Sequence, residues 1–149
     1  MARATAAAPR RAAGAVIVRR DGGEPRYLVL RAYRYWDFPK GGIQQDEAPL
    51  AAARREVEEE TTLRDVSFPW GEVYRETPPY AGNKVARYYL AEPVSGHLDD
   101  QVRLPISPEL GRPEHHEFRW LPYAEARALL GERLQPILDW ADALVRGAG

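Results

Sequence analysis

The sequence predicts an α/β chain in which a mixed sheet is flanked by helices. Three features carry that expectation. Short runs rich in β-branched and aromatic residues open the chain and recur in its middle. One helix-periodic segment separates those two groups, and two more helical segments close the chain.

AGAVIV at 13–18 is the first strand, ending at charged RRDGGEPR, where Asp21-Gly22-Gly23 signals a turn. YLVLR at 27–31 is its hairpin partner. YRYWDFPKGGI then places aromatic residues before a Pro-Lys-Gly-Gly turn, since Pro39 cannot donate to a ladder and paired glycines widen the allowed backbone angles. Helical periodicity begins near Asp46, read as the N-cap, with Pro49 tolerated in the first turn. Leu50, Ala53 and Val57 form its apolar stripe. VSFPWGEVYRE and KVARYYLAE are the middle strands, and SGHLDDQVRLPISPELGRP reads as strand ends and loop. HEFRWLP is the last strand, followed by helices over YAEARALL and LQPILDWADALV.

At 149 residues the chain has the size of one domain, read as 13–146 behind a flexible arm at 1–12. A net charge near −1 provides no general field for nucleic acid or anionic membrane. There is no cysteine, so disulfide and thiolate chemistry are excluded and a reducing compartment suits the chain. The arginine-rich start lacks the apolar run of a secretory signal, and no segment approaches the ~20 apolar residues of a membrane helix. The expected location is cytoplasmic. Oligomeric state is left open.

The segment ARREVEEETTL raises the functional question. On a helix Glu56, Glu59 and Glu60 share a face, where like charges repel by roughly 0.2–0.5 kcal/mol per pair. Such a row is a poor structural feature but a good site for a hard divalent cation, which takes oxygen ligands and shares its shell with phosphates. A solvated acidic face paired with Arg54 and Arg55 is the bland alternative. Glu58 points elsewhere.

The wider register decides between them. Gly41, Glu47, Arg55-Glu56, Val57, Glu59-Glu60 and Leu63 match eight of the nine fixed positions of the Nudix box over 23 residues. Thr62 stands where the pattern has its last glycine, at a helix exit that often needs a left-handed conformation. The chain thus resembles the Nudix hydrolases. That resemblance implies an α/β/α sandwich, Mg2+ or Mn2+, and hydrolysis of a nucleoside diphosphate linked to a further group. It implies a metal set of Glu56, Glu59, Glu60 and Gly41, and a catalytic set of Glu59, Arg55, Glu47 and Glu114. In that set Arg55 orients a carboxylate and Glu47 supports the junction of loop and helix.

YWDFPKGGI, KVARYYLAE and EHHEFRWLPYAEARAL further resemble segments of the asymmetrical diadenosine tetraphosphate hydrolases. On that likeness Lys40, Lys84 and His115 contact phosphates, and Tyr80 and Tyr88 flank an adenine. Tyr35 stands where that subfamily often has histidine. Trp36, Trp120 and Trp140 are read as packing residues. The implied partner is a small nucleotide, with diadenosine tetraphosphate split to ATP and AMP. An RNA 5′ end is the alternative substrate, because WDFPKGGI is also similar to RNA 5′ pyrophosphohydrolases. A diphosphoinositol phosphate is a weaker option, given no strong basic cluster. A nucleotide-binding module without turnover is the reading from a different class.

Overall fold

The computed structural model describes residues 10–94 and 102–147. In chain order it contains β1 (Arg10–Arg19), β2 (Arg26–Ala32), β3 (Tyr35–Asp37), β4 (Lys40–Gly42), α1 (Pro49–Thr61), β5 (Val66–Ser67), β6 (Tyr74–Glu76) and β7 (Lys84–Pro93). These are followed by β8 (Ile106–Ser107), β9 (Arg112–Pro113), β10 (Glu117–Pro122), α2 (Tyr123–Leu129) and α3 (Gln135–Val145). The principal sheet runs β10-β2-β1-β7-β5, with β3, β4 and β6 paired beside β2, β1 and β7; β8 and β9 form a separate small hairpin. β1 pairs parallel with β7 and antiparallel with β2 and β4, so the sheet is mixed, as the sequence predicts.

Helices cover both faces. From Ala12 to Val18 every residue of β1 except Gly14 belongs to the buried core, the pattern of a central strand covered on both sides. Val16 and Val18 point into one cluster with Tyr27, Val29, Tyr88 and the α2–α3 residues Ala126, Leu130, Ile137 and Leu138. Ala13, Ala15 and Ile17 point into the other with Ala52, Ala53, Val57 and Leu63. Alanine meeting alanine lets α1 approach the sheet closely. Tyr27, fully buried, donates its hydroxyl to Asp142 Oδ1 at 2.6 Å and ties β2 to α3. Among the described residues no helix is long and apolar enough to cross a membrane.

Three local expectations change. Lys40–Gly42 is a strand: Gly14 faces Lys40, Ala13 faces Gly41 and Ala12 faces Gly42, so tertiary pairing overrides the turn propensity of the glycines. The strand read as starting at 13 begins at Arg10, because Arg10 is in register with Lys84 on β7 and its N–H reaches Asn83 O at 2.8 Å. Asp46 is not the N-cap of α1. It has φ 64°, and extended Ala48 holds the cap position, where it has no polar side-chain atom to bond the first turn; Pro49 then starts the helix with its φ already set. Residues 95–101, part of the loop read between the middle and last strands, lie outside the described residues.

Gly14 is required by packing. A Cβ there would overlap Pro39 O and the Lys40 side chain on the adjoining β4. Substituting Gly14→Ala is expected to destabilise the chain by about 1–3 kcal/mol through forced strand separation. Urea unfolding measures it, and an unchanged midpoint would show that β4 does not need this close approach.

Candidate active site

The site begins with α1 lying over β4. Glu56 and Glu60 are buried, and the Glu56 carboxylate rests against Gly41, where any Cβ would overlap it. The first fixed glycine of the box therefore makes room for a carboxylate. Lys40 N–H donates to Glu60 Oε1 at 3.3 Å, and Arg55 Nη1 lies 3.4 Å from Glu56 Oε2. These are meagre partners for two buried acids.

Glu59 lines the same cleft as Glu56 and Glu60 but is the exposed member of the row. Its side chain is 55% exposed and leans on Arg55 Nη1 at 3.3 Å. Arg55 is the organiser. It donates to both Glu47 oxygens at 2.8 and 2.9 Å and to Gly42 O at 2.9 Å, while Gln44 N–H reaches Glu47 Oε1 at 3.0 Å. The Arg55 guanidinium and the Gln44 N–H hold Glu47 down at about 2, so Glu47 is a permanent anchor for the β4–α1 loop.

The buried acids are displaced the other way. Burial, then the charges of Glu59 and Glu114, pushes Glu56 up to about 7. Burial, then Glu114 and Glu56, pushes Glu60 up to about 9. Glu114, in the short link between β9 and β10, is thus brought to α1. It lines an open cleft of about 790 Å3 together with Lys40, Gly41, Arg55, Glu56, Glu59, Glu60 and Lys84. A second pocket of about 310 Å3 adjoins it beneath the β8–β9 hairpin and includes His115. His115 Nε2 is 3.9 Å from Glu60 Oε1, and burial lowers its pKa, favouring the neutral ring.

Two of the expected substrate contacts fall elsewhere. Tyr88 is fully buried and donates to Asp37 Oδ1 at 2.9 Å, so its ring packs in the core and cannot receive a base. Tyr80 does not line the cleft; Arg133 covers its ring at 3.9 Å and its hydroxyl is buried. Tyr88 lies on the α3 face because alternation along β7 sends even positions there, and Tyr80, bridged to Lys84 just before β7, packs against the same cluster. Trp36 and Trp140 pack on that cluster and Trp120 on the other, in keeping with their reading as packing residues. Arg10 and Glu109 line the cleft and were absent from the sequence expectations. Neither sits in a periodic segment, and only strand pairing and the return of the loop bring them there.

The donor set suits a hard cation. Two buried, under-partnered carboxylates with Glu59 and Glu114 beside them are oxygen ligands of the kind magnesium and manganese take. Among the described residues no three acidic or histidine side chains already converge into a complete cage. Glu59, held by Arg55, is the most exposed of the carboxylates that line the cleft from α1.

A profile of the NUDIX domain family matches residues 8–141. The chain belongs to the NUDIX family. It is 31% identical over 128 residues to the asymmetrical bis(5′-nucleosyl)-tetraphosphatase of Rattus norvegicus, covering 78% of this chain and 81% of that one. It is 41% identical over 67 residues to an RNA pyrophosphohydrolase of Bartonella bacilliformis, a match spanning only 39% of that protein. The fold is similar to a C. elegans Ap4A hydrolase in a binary complex, with a TM-score of 0.76, 24% identity and coverage of 91% and 98% of the two chains. The NUDIX fold explains why α1 sits over the β4 glycines.

Raised carboxyl pKa values have a definite sign in stability. Glu56 and Glu60 bind protons more tightly folded than unfolded, so their contribution is fully present below the ordinary 4.5 and is lost as pH rises through about 7 and about 9. A cation bound between these carboxylates would replace those protons. The rise in Tm on adding Mg2+ is therefore expected to be small at pH 5.5 and several-fold larger at pH 8.5. Scanning calorimetry at both pH values checks it, and an equal rise at both would refute the assignment of these two acids.

Proposed function

We propose that this NUDIX chain hydrolyses a phosphoanhydride bond of a dinucleoside polyphosphate, splitting diadenosine tetraphosphate to ATP and AMP in the cytoplasm by attack of water on phosphorus. One observation carries the reading. The cleft has carboxylates of Glu56, Glu59, Glu60 and Glu114 together with cations of Arg10, Lys40 and Lys84, which suits a metal-bound polyphosphate. Glu56, Glu59 and Glu60 would hold the Mg2+ or Mn2+, with Gly41 leaving room for the Glu56 carboxylate. Bound there, the cation offsets charge on the phosphoryl oxygens and lowers the pKa of its water.

The chain's own residues supply the rest. Lys40 and Lys84 hold phosphate oxygens, and Arg55 with Glu47 keeps the loop before α1 in place. Glu59 and Glu114 are candidates to accept a proton from the attacking water, whose oxygen bonds to phosphorus as the phosphoanhydride P–O bond breaks; the bridging oxygen leaves with one nucleotide and the proton passes to solvent. The likeness to the rat tetraphosphatase over most of both chains supports this substrate class. A second reading, release of pyrophosphate from an RNA 5′ end, is supported by the likeness to proteins named RNA pyrophosphohydrolase, one of them, from Pseudomonas putida, over 72% of this chain.

Purified protein incubated with diadenosine tetraphosphate and Mg2+ is expected to give ATP and AMP, by product chromatography. Chelation of the metal should stop the reaction, and Glu59→Gln should lower kcat by about 100-fold or more. Cleavage of triphosphorylated RNA alone would transfer the assignment to the second reading. Nucleotide binding with no product from either would mark a binding module.

A further inference from the structure

We infer that Asp37 is a positioning residue that fixes the Lys40 ammonium where a substrate phosphate meets it. The inference rests on the reading that a polyphosphate occupies the cleft and that Lys40 holds one of its oxygens. Lys40, Gly14 and Tyr88 stand in one row across β4, β1 and β7, since Gly14 pairs with Lys40 on one side and with Tyr88 on the other. The middle residue has no side chain, and a Cβ there would overlap the Lys40 side chain. Room for the Lys40 stem therefore depends on Gly14.

Asp37 is built to aim one oxygen. Its Oδ1 accepts the Tyr88 hydroxyl at 2.9 Å and the Phe38 N–H at 2.6 Å. The Tyr88 ring is fully buried, so the first of these donors is held in place by the core. With Oδ1 committed, Oδ2 faces two cations, Lys40 Nζ at 3.7 Å and Arg133 Nη2 at 3.4 Å. A lysine ammonium on a flexible four-carbon stem loses rotamer freedom when it must meet a phosphate at one place. A carboxylate already fixed by its own donors removes part of that loss before the ligand arrives.

The same carboxylate could compete with phosphate for the ammonium. Charge decides against competition. Arg133 answers the Asp37 charge at the shorter distance, so the three side chains together keep one positive charge. Lys40 is thus held without being neutralised. With the carboxylate removed, Lys40 and Arg133 would face each other as like charges in a partly buried site, and the ammonium would move away.

The test is a double-mutant cycle on the full chain with Mg2+, read by calorimetric titration with inorganic tripolyphosphate. Asp37→Asn keeps the shape and removes the charge. It is expected to weaken binding about fivefold in the parent chain and by less than about 1.5-fold in Lys40→Ala. Tyr88→Phe keeps the ring in the core and the charge on Asp37, and should give about a twofold loss that also disappears in Lys40→Ala. It carries the cycle if Asp37→Asn does not fold. With diadenosine tetraphosphate, Asp37→Asn should raise KM about fivefold and leave kcat within about twofold. Tighter binding by Asp37→Asn, no change, or a loss of equal size with and without the Lys40 side chain overturns the inference. A wild-type chain that binds no tripolyphosphate overturns the polyphosphate reading and this inference with it. If the wild-type chain binds tripolyphosphate, turns over no nucleotide and the cycle keeps its coupling, the proposed reaction fails and the positioning role stands.

Discussion

The burial of two glutamates beneath a helix is the constraint on which the rest of the structure depends. Taking a carboxylate out of water is unfavourable by several kcal/mol unless it is neutralised or paired. Among the described residues Glu56 and Glu60 have one long hydrogen bond each from a neighbouring donor. The protein tolerates this by surrounding them with fixed features. Gly41 vacates the space for Glu56, Gly14 lets β4 lie against β1, and the alanines of β1 and α1 allow the helix close enough for the carboxylates to reach the strand. Arg55, bound to Glu47 and Gly42 O, then locks the loop that joins strand to helix. Each choice is hard to explain as stability alone, and all are explained if a cation completes the site.

Lys40 shows how tightly the two faces of the sheet are coupled. Its N–H serves Glu60 on the α1 side, while its ammonium lies 3.7 Å from Asp37, whose carboxylate also takes the Tyr88 hydroxyl and the Phe38 N–H. Arg133, from the turn before α3, reaches the same carboxylate at 3.4 Å. One residue thus joins the acidic row to a polar cluster in the opposite layer. A slip of β4 by a single position would take Gly41 from beneath the Glu56 carboxylate and put a residue of the other face in its place. The pairing of β4 with β1 is for that reason part of the site.

What was legible in the sequence follows the range of the interactions involved. The helix, most of the main strands and the carboxylate row are local patterns and appear close to where periodicity puts them, whereas the run over 66–76 read as one strand holds only the short β5 and β6 with a turn between them. The β4 strand, the cap of α1 and the burial of Tyr88 are settled by partners distant in sequence, which local propensity does not see. Tyr88 and Tyr89 are equivalent by composition, and only the phase of β7 decides which one meets α3. Glu114 was readable through a likeness of motif. Arg10 was not, because only its register with Lys84 brings it to the cleft.

Thr62 can be interpreted on the same terms. It adopts the left-handed conformation, φ 66°, that the glycine of the pattern would take, and its N–H still closes on Glu58 O at 2.9 Å. A side chain in that region is disfavoured by roughly 1–2 kcal/mol, against roughly 0.4–1 kcal/mol saved by the stiffer unfolded chain. The substitution therefore acts on stability and leaves the helix exit in place. Since the helix ends where a glycine would end it, Glu59 and Glu60 are presented to the cleft unchanged. The departure from the box gives no geometric reason for the site to be idle.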